Sequence, residues 1–309
     1  ACVSCHTTLP YALARPALRT ALAEAGPTTT ERQMLDYVTK RVRLWREVEP
    51  FYPDQTRGLP KTSESRGTEA VLNALVLARY DEAADRMSAD TRTAFANMWA
   101  LQFTSGPMKG GWAWLNFHLA PWETDESPYW GATLAAIAVG TAPGGYQSAP
   151  EIQQPLTLLR EYLSTSFDQQ PLVNRAVALW ASGRLQGLLT VAQQHAAIKD
   201  LHEAQQDDGG WSLSRLGSWK PRQDGTPQEA RSDGYATGLV TFALQQAGAT
   251  REEPHVAKGL GWLAAHQSKA DGFWPASSLN KKRDPATDIG RFMSDAATAY
   301  AVLALTSPQ

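Results

Sequence analysis

AQQDDGGW at residues 204–211 and HQSKADGFW at residues 266–274 are the stretches that decide the fold. In each, a Gln leads through Asp-Gly to a Trp: Gln205-x-x-Asp208-Gly209-x-Trp211, then Gln267-x3-Asp271-Gly272-x-Trp274. Such a stretch has the physics of a corner between helices. The Gly makes the turn, the Asp caps backbone N–H groups, and the Gln amide hydrogen-bonds at a helix end while lying on the indole. The segments beyond them repeat as well, SDGYAT at 232–237 answering to SDAAT at 294–298, which gives a period of about 60 residues. That length suits a helix pair with its connecting loops.

Outward from this repeat, the chain is a succession of apolar stretches of helical length, with no run of alternating strand residues. The pattern predicts an all-α protein with helices at 10–25, 29–48, 66–82, 89–105, 127–140, 150–165, 169–185, 189–205, 231–248, 253–267 and 291–306, close to six pairs. Thr28-x-x-Glu31, Ser148-x-x-Glu151 and Thr250-x-x-Glu253 have capping-box form, and Asp168 and Ser127-Pro128 look like further helix starts. Ala236, Gly238, Ala296, Ala297 and Ala299 are small enough to let neighbouring helices approach closely in a ring or stack.

The two loops resemble the QW repeat of the squalene–hopene and oxidosqualene cyclase superfamily. Gly110-Gly111-Trp112 is a weaker relative, without a Gln at the usual distance. The resemblance covers roughly residues 185–309 and reaches the first half only through its helix rhythm. It implies an all-α (α/α)6 toroid of the terpene cyclase and prenyltransferase type, here one domain over residues 10–309. The resemblance does not extend to the chemistry. Hopene cyclases protonate an alkene with an Asp-x-Asp-Asp cluster, whereas Asp207-Asp208 sits inside a QW loop and Asp284, Asp288 and Asp295 are spaced differently. Those cyclases also normally use two α-domains. The prenyltransferase zinc site needs an Asp, a Cys and a His, and both cysteines of this chain lie in another motif.

That motif is CVSCH at residues 2–6, the c-type haem attachment pattern. Thioethers to Cys2 and Cys5 would fix one haem c, with His6 as proximal iron ligand and residues 1–9 as the attachment segment. A Cys2–Cys5 disulfide or a partial metal site is the competing reading. A thioredoxin-like role is disfavoured because no strand precedes the motif. On the opposite face of the iron, Met108 in SGPMKGG and His118 in LNFHLAPW are the candidates, and the sequence does not choose between them. Met34, Met87, Met98 and Met293 fall in helical stretches, where packing is the ordinary role. PWETDESPYW at 121–130 puts Glu123, Asp125 and Glu126 between two Trp residues, a pattern compatible with sugar hydrolysis but also with acidic residues ahead of a helix start.

Charge and length bound what remains. The 309 residues carry a net charge of −2 with no long run of one sign, which argues against a nucleic-acid partner. No apolar stretch reaches transmembrane length, and the chain opens on Ala with no leader, so the expectation is a mature exported protein of the periplasm or another extracytoplasmic space. The functional expectation is electron transfer, alone or as the haem-bearing subunit of a redox complex, with a redox partner protein or membrane-associated complex. The alternatives are a haem-dependent or cyclase-like enzyme using the ring centre as an isoprenoid or carbohydrate pocket, and a scaffold that docks on a redox complex.

Overall fold

Every regular element of the computed structural model, which describes residues 3–307, is helical. The α-helices are α1 (Thr8–Ala21), α2 (Thr29–Arg43), α3 (Asp54–Arg57), α4 (Lys61–Glu82), α5 (Ala89–Trp99), α6 (Ser127–Thr141), α7 (Gln153–Ser166), α8 (Leu172–Arg184), α9 (Val191–Glu203), α10 (Gly234–Gln246), α11 (Pro254–His266) and α12 (Asp288–Thr306). An isolated bridge, Leu119 to Glu123, is the sole β pairing among the described residues.

The helices divide by how they are buried. α4, α6 and α10 are covered on all sides, without a break over 67–78, 129–139 and 234–244. A helix with no polar face has to lie inside a protein. α7, by contrast, buries only Leu156, Leu159 and Leu163, a narrow i, i+3, i+7 stripe. Contacts join the inner set in a closed cycle: α1 to α4, α4 to α6, α6 to α8, α8 to α10, α10 to α12, and α12 back to α1. Outside it, α2 and α5 lie on α4, α7 on α6, α9 on α8, and α11 on α10 and α12. Residues near the C-terminal ends of all six inner helices, Ala17, Arg79, Thr141, Arg184, Gln246 and Thr306, line one small recess of about 80 Å³. The inner helices therefore run in a common direction, with their N-termini at the opposite mouth.

Close approach of the inner helices rests on the small residues. A Cβ at Gly183 of α8 would stand 1.9 Å from the carbonyl oxygen of Gln246, at the end of α10. Buried rings of α8, α10 and α12, with Trp122 from the loop before α6, meet edge to face: Trp122 to Tyr235 at 5.5 Å, Tyr235 to Tyr300 at 5.4 Å, Tyr300 to Trp180 at 6.5 Å and Trp180 to Phe242 at 5.1 Å.

Helix starts differ from the sequence reading in instructive ways. The Thr28 box forms, with Glu31 N–H donating to Thr28 Oγ1 at 3.2 Å and Thr28 N–H to Glu31 Oε2 at 2.8 Å. Ser148 and Glu151 form no box, because two 3-10 turns occupy 146–148 and 150–152 before α7 begins at Gln153. Asp168 likewise lies in a 3-10 turn, and Pro171 sets the start of α8. At Thr250 only half the box is made, its N–H donating to Glu253 Oε1 at 3.1 Å, and Glu253 itself stands at the cap position of α11. α12 starts at Asp288 behind a Thr287 cap, so Asp295 is inside a helix while its counterpart Asp233 caps α10.

Candidate functional site

The chain enters the fold at the mouth where the inner-helix N-termini gather. Ser4 winds it into α1: its hydroxyl accepts from Thr8 N–H at 3.0 Å, and its carbonyl from Leu9 N–H at 2.9 Å. Val3 and Cys5 are consequently buried, and Cys2 lies outside the described residues. The Tyr235 and Tyr300 phenols are raised well above the ordinary tyrosine range, by burial above all.

His6 packs against both Trp122 and Phe292, with ring centroids 6.0 and 5.2 Å away. Burial lowers its pKa and so favours the neutral imidazole. Its Nδ1 meets Thr7 Oγ1 at 2.8 Å, and Thr7 Oγ1 donates to Asp295 Oδ2 at 3.4 Å. A hydroxyl has one proton, so the arrangement in which Thr7 donates to the carboxylate is the one that puts the proton of the His6–Thr7 contact on Nδ1. Nε2 then carries the lone pair.

These residues fit a covalently attached haem in donor chemistry. A neutral imidazole with a bare Nε2 is the form in which histidine binds iron. A groove of about 960 Å³ opens beside residues 3–8, lined by Val3, Thr7, Tyr11, Met34, Ala299 and Val302 and by the charged Arg15, Glu24 and Asp295. Phe292, Asp295, Ala299 and Val302 follow one another at helical spacing on α12, so the stripe that floors the groove leads to the ring against which His6 packs. Cys5 is buried, and neither it nor His6 is among the residues that line this groove.

The two candidate distal ligands stand elsewhere. Met108 is exposed in a loop whose Gly110 abuts Leu158 and Tyr162 of α7. His118, in the left-handed region at φ 57°, is exposed with Nδ1 3.8 Å from Asp125 Oδ1. It lines a polar cleft of about 510 Å³ with Asp125, Glu126, Gln170, Trp219 and Asn280. Of the PWETDESPYW carboxylates, Asp125 accepts from Asn116 Nδ2 at 2.6 Å, while burial pushes Glu123 up to about 7 against the pull of Lys61. Arg66 is inside α4, where its guanidinium donates to Trp45 O at 3.0 Å and lies over the Trp45 ring.

The repeated loops are built alike. Gln205 Nε2 donates to Gly209 O and to His255 O, both at 2.9 Å, and Gln267 Nε2 to Gly272 O at 2.7 Å. Trp211 Nε1–H donates to Leu201 O of α9 and Trp274 Nε1–H to Leu263 O of α11, each at 2.7 Å. Thr237 and Thr298, from the second repeated segment, accept the Trp211 and Trp274 backbone N–H at 2.9 and 3.1 Å. The first half contains a third copy that the spacing concealed. Gln102 Nε2 donates to Gly110 O at 3.0 Å and to Pro155 O at 2.9 Å, and Trp112 Nε1–H to Met98 O at 2.7 Å. The Gln is present, displaced by the longer loop that also carries Met108. Asp233 accepts from Leu213 and Ala236 N–H at 2.7 and 2.9 Å, yet desolvation pushes it up to about 6.

No protein-family model matches the chain, and a search of curated proteins returns no match.

Proposed function

We propose that this chain is an exported monohaem c-type protein whose ring of helices is an (α/α)6 toroid of the terpene cyclase and prenyltransferase type, and that it serves electron transfer, alone or as the haem-bearing subunit of a redox complex. The observation that carries the reading is CVSCH with a half-buried His6 whose Nδ1 meets Thr7 Oγ1. Cys2, Cys5 and His6 would hold the haem, which when bound supplies one-electron chemistry. The toroid is supported by the closed cycle of inner helices, their common direction and the three equivalent Gln/Trp corners. Its partner is a redox protein or a membrane-associated redox complex, and its location the periplasm or an equivalent space. No described helix is long and apolar enough to cross a membrane.

What the residues do in this reading is hold and orient. Trp122 and Phe292 pack against the His6 ring, and the winding of 4–9 into α1 anchors the attachment segment to the fold. A reduced-minus-oxidised absorption spectrum of the purified protein tests the proposal: the bands of a c-type haem are expected, and their absence from protein matured with haem-attachment machinery refutes it.

A further inference from the structure

Thr7 and Asp295 come from opposite ends of the chain, 288 residues apart, and meet behind His6. Asp295 is free for this because α12 begins at Asp288, two turns before the point where the repeated SD segment starts α10; its counterpart Asp233 is consumed in capping. Thr7 is therefore placed between an imidazole nitrogen and a carboxylate, and its single hydroxyl proton sets the direction of the whole chain: Nδ1–H to Oγ1, then Oγ1–H to Oδ2.

We infer that Thr7 and Asp295 are positioning residues for His6, a relay that fixes its Nδ1–H tautomer and makes Nε2 an electron-rich ligand. The inference rests on the haem reading for its consequence, though not for its geometry. Metal-bound histidines generally donate their second ring N–H to a carboxylate, a carbonyl or water, which orients the ring and raises its basicity. Here the carboxylate acts through one hydroxyl. A more basic axial ligand favours the oxidised iron, so the relay holds the reduction potential down.

The test uses the haem-bearing protein and Thr7→Val, Thr7→Ser and Asp295→Asn. Thr7→Val removes the acceptor and should raise the midpoint potential by about 59 mV, the equivalent of a tenfold change in a one-electron equilibrium constant. Thr7→Ser keeps the hydroxyl and should restore the wild-type value; Asp295→Asn removes the charge but keeps an acceptor and should fall between. Equal potentials in wild type and Thr7→Val overturn the relay. A second measurement stands apart from the haem: nitrogen NMR of His6 in the haem-free Cys2→Ala/Cys5→Ala protein. The Nδ1–H tautomer, lost in Thr7→Val, supports the relay, and an Nε2–H tautomer in the Thr7-containing protein overturns it. Protein that never carries haem defeats the proposed function alone, and the NMR result then decides the relay.

Discussion

Replacing Trp211 by Ala removes the indole at the corner between α9 and α10. The side chain is fully buried, and a Trp covers about 150–250 Å², which at about 25 cal/mol per Å² is a loss of roughly 4–6 kcal/mol. Two features place the outcome near the upper part of the roughly 3–5 kcal/mol found for such truncations. The Nε1–H bond to Leu201 O is lost, leaving that carbonyl without its indole partner. The ring also fills the space over Gly259 of α11, where a Cβ would stand 2.9 Å from it, so no neighbouring side chain is available there to collapse into the hole. Trp211→Phe keeps most of the apolar area and forfeits the hydrogen bond, with an expected cost of about 1–2 kcal/mol. Urea unfolding followed by far-ultraviolet circular dichroism gives both values from the midpoint at constant m. A cost below about 1 kcal/mol for Trp211→Ala, or equal costs for Ala and Phe, refutes the reasoning from burial and the indole bond.

Gln102→Ala should destabilise the fold by about 1–3 kcal/mol, comparable to Gln205→Ala in the same urea assay, because each amide joins a Gly carbonyl to the start of the next outer helix. Gly183→Ala drives a methyl into the Gln246 carbonyl and should cost about 1–3 kcal/mol, read as a lowered thermal midpoint. The pH dependence follows from two carboxylates raised in the folded state. Each binds its proton more tightly folded than unfolded, so stability is greater at low pH and falls as pH rises, through about 4 to 6 for Asp233 and about 4.5 to 7 for Glu123. Asp233→Asn and Glu123→Gln should each flatten the fall in their own window, measured by urea midpoints at successive pH values.

Much of the fold was legible because helix rhythm and small-residue spacing are local properties. The strongest stretches, 66–82 and 127–140, correspond to α4 (Lys61–Glu82) and α6 (Ser127–Thr141), the most deeply enclosed helices of the first half. Caps were less legible. Ser148 has the right residue type, but Pro150 and Pro155 stand on either side of the start of α7, and the chain takes 3-10 turns there instead. Gln102 was hidden for a different reason: its partner Gly110 is eight residues away, so a fixed motif spacing misses a bond that needs only a carbonyl within reach. CVSCH was visible as a motif, but its surroundings were not. Thr7 reads as an ordinary helix-start residue, and only the closure of α12 onto α1 brings Asp295 to it.

The central claim is the covalent cofactor, and mass spectrometry of the denatured chain tests it most directly. Thioether bonds survive unfolding, whereas a haem held by coordination alone is released. In protein exported from cells with haem-attachment machinery, the peptide containing Cys2 and Cys5 is expected to carry the mass of one haem. The same peptide without added mass, its cysteines joined to each other or both alkylated as thiols, contradicts the account.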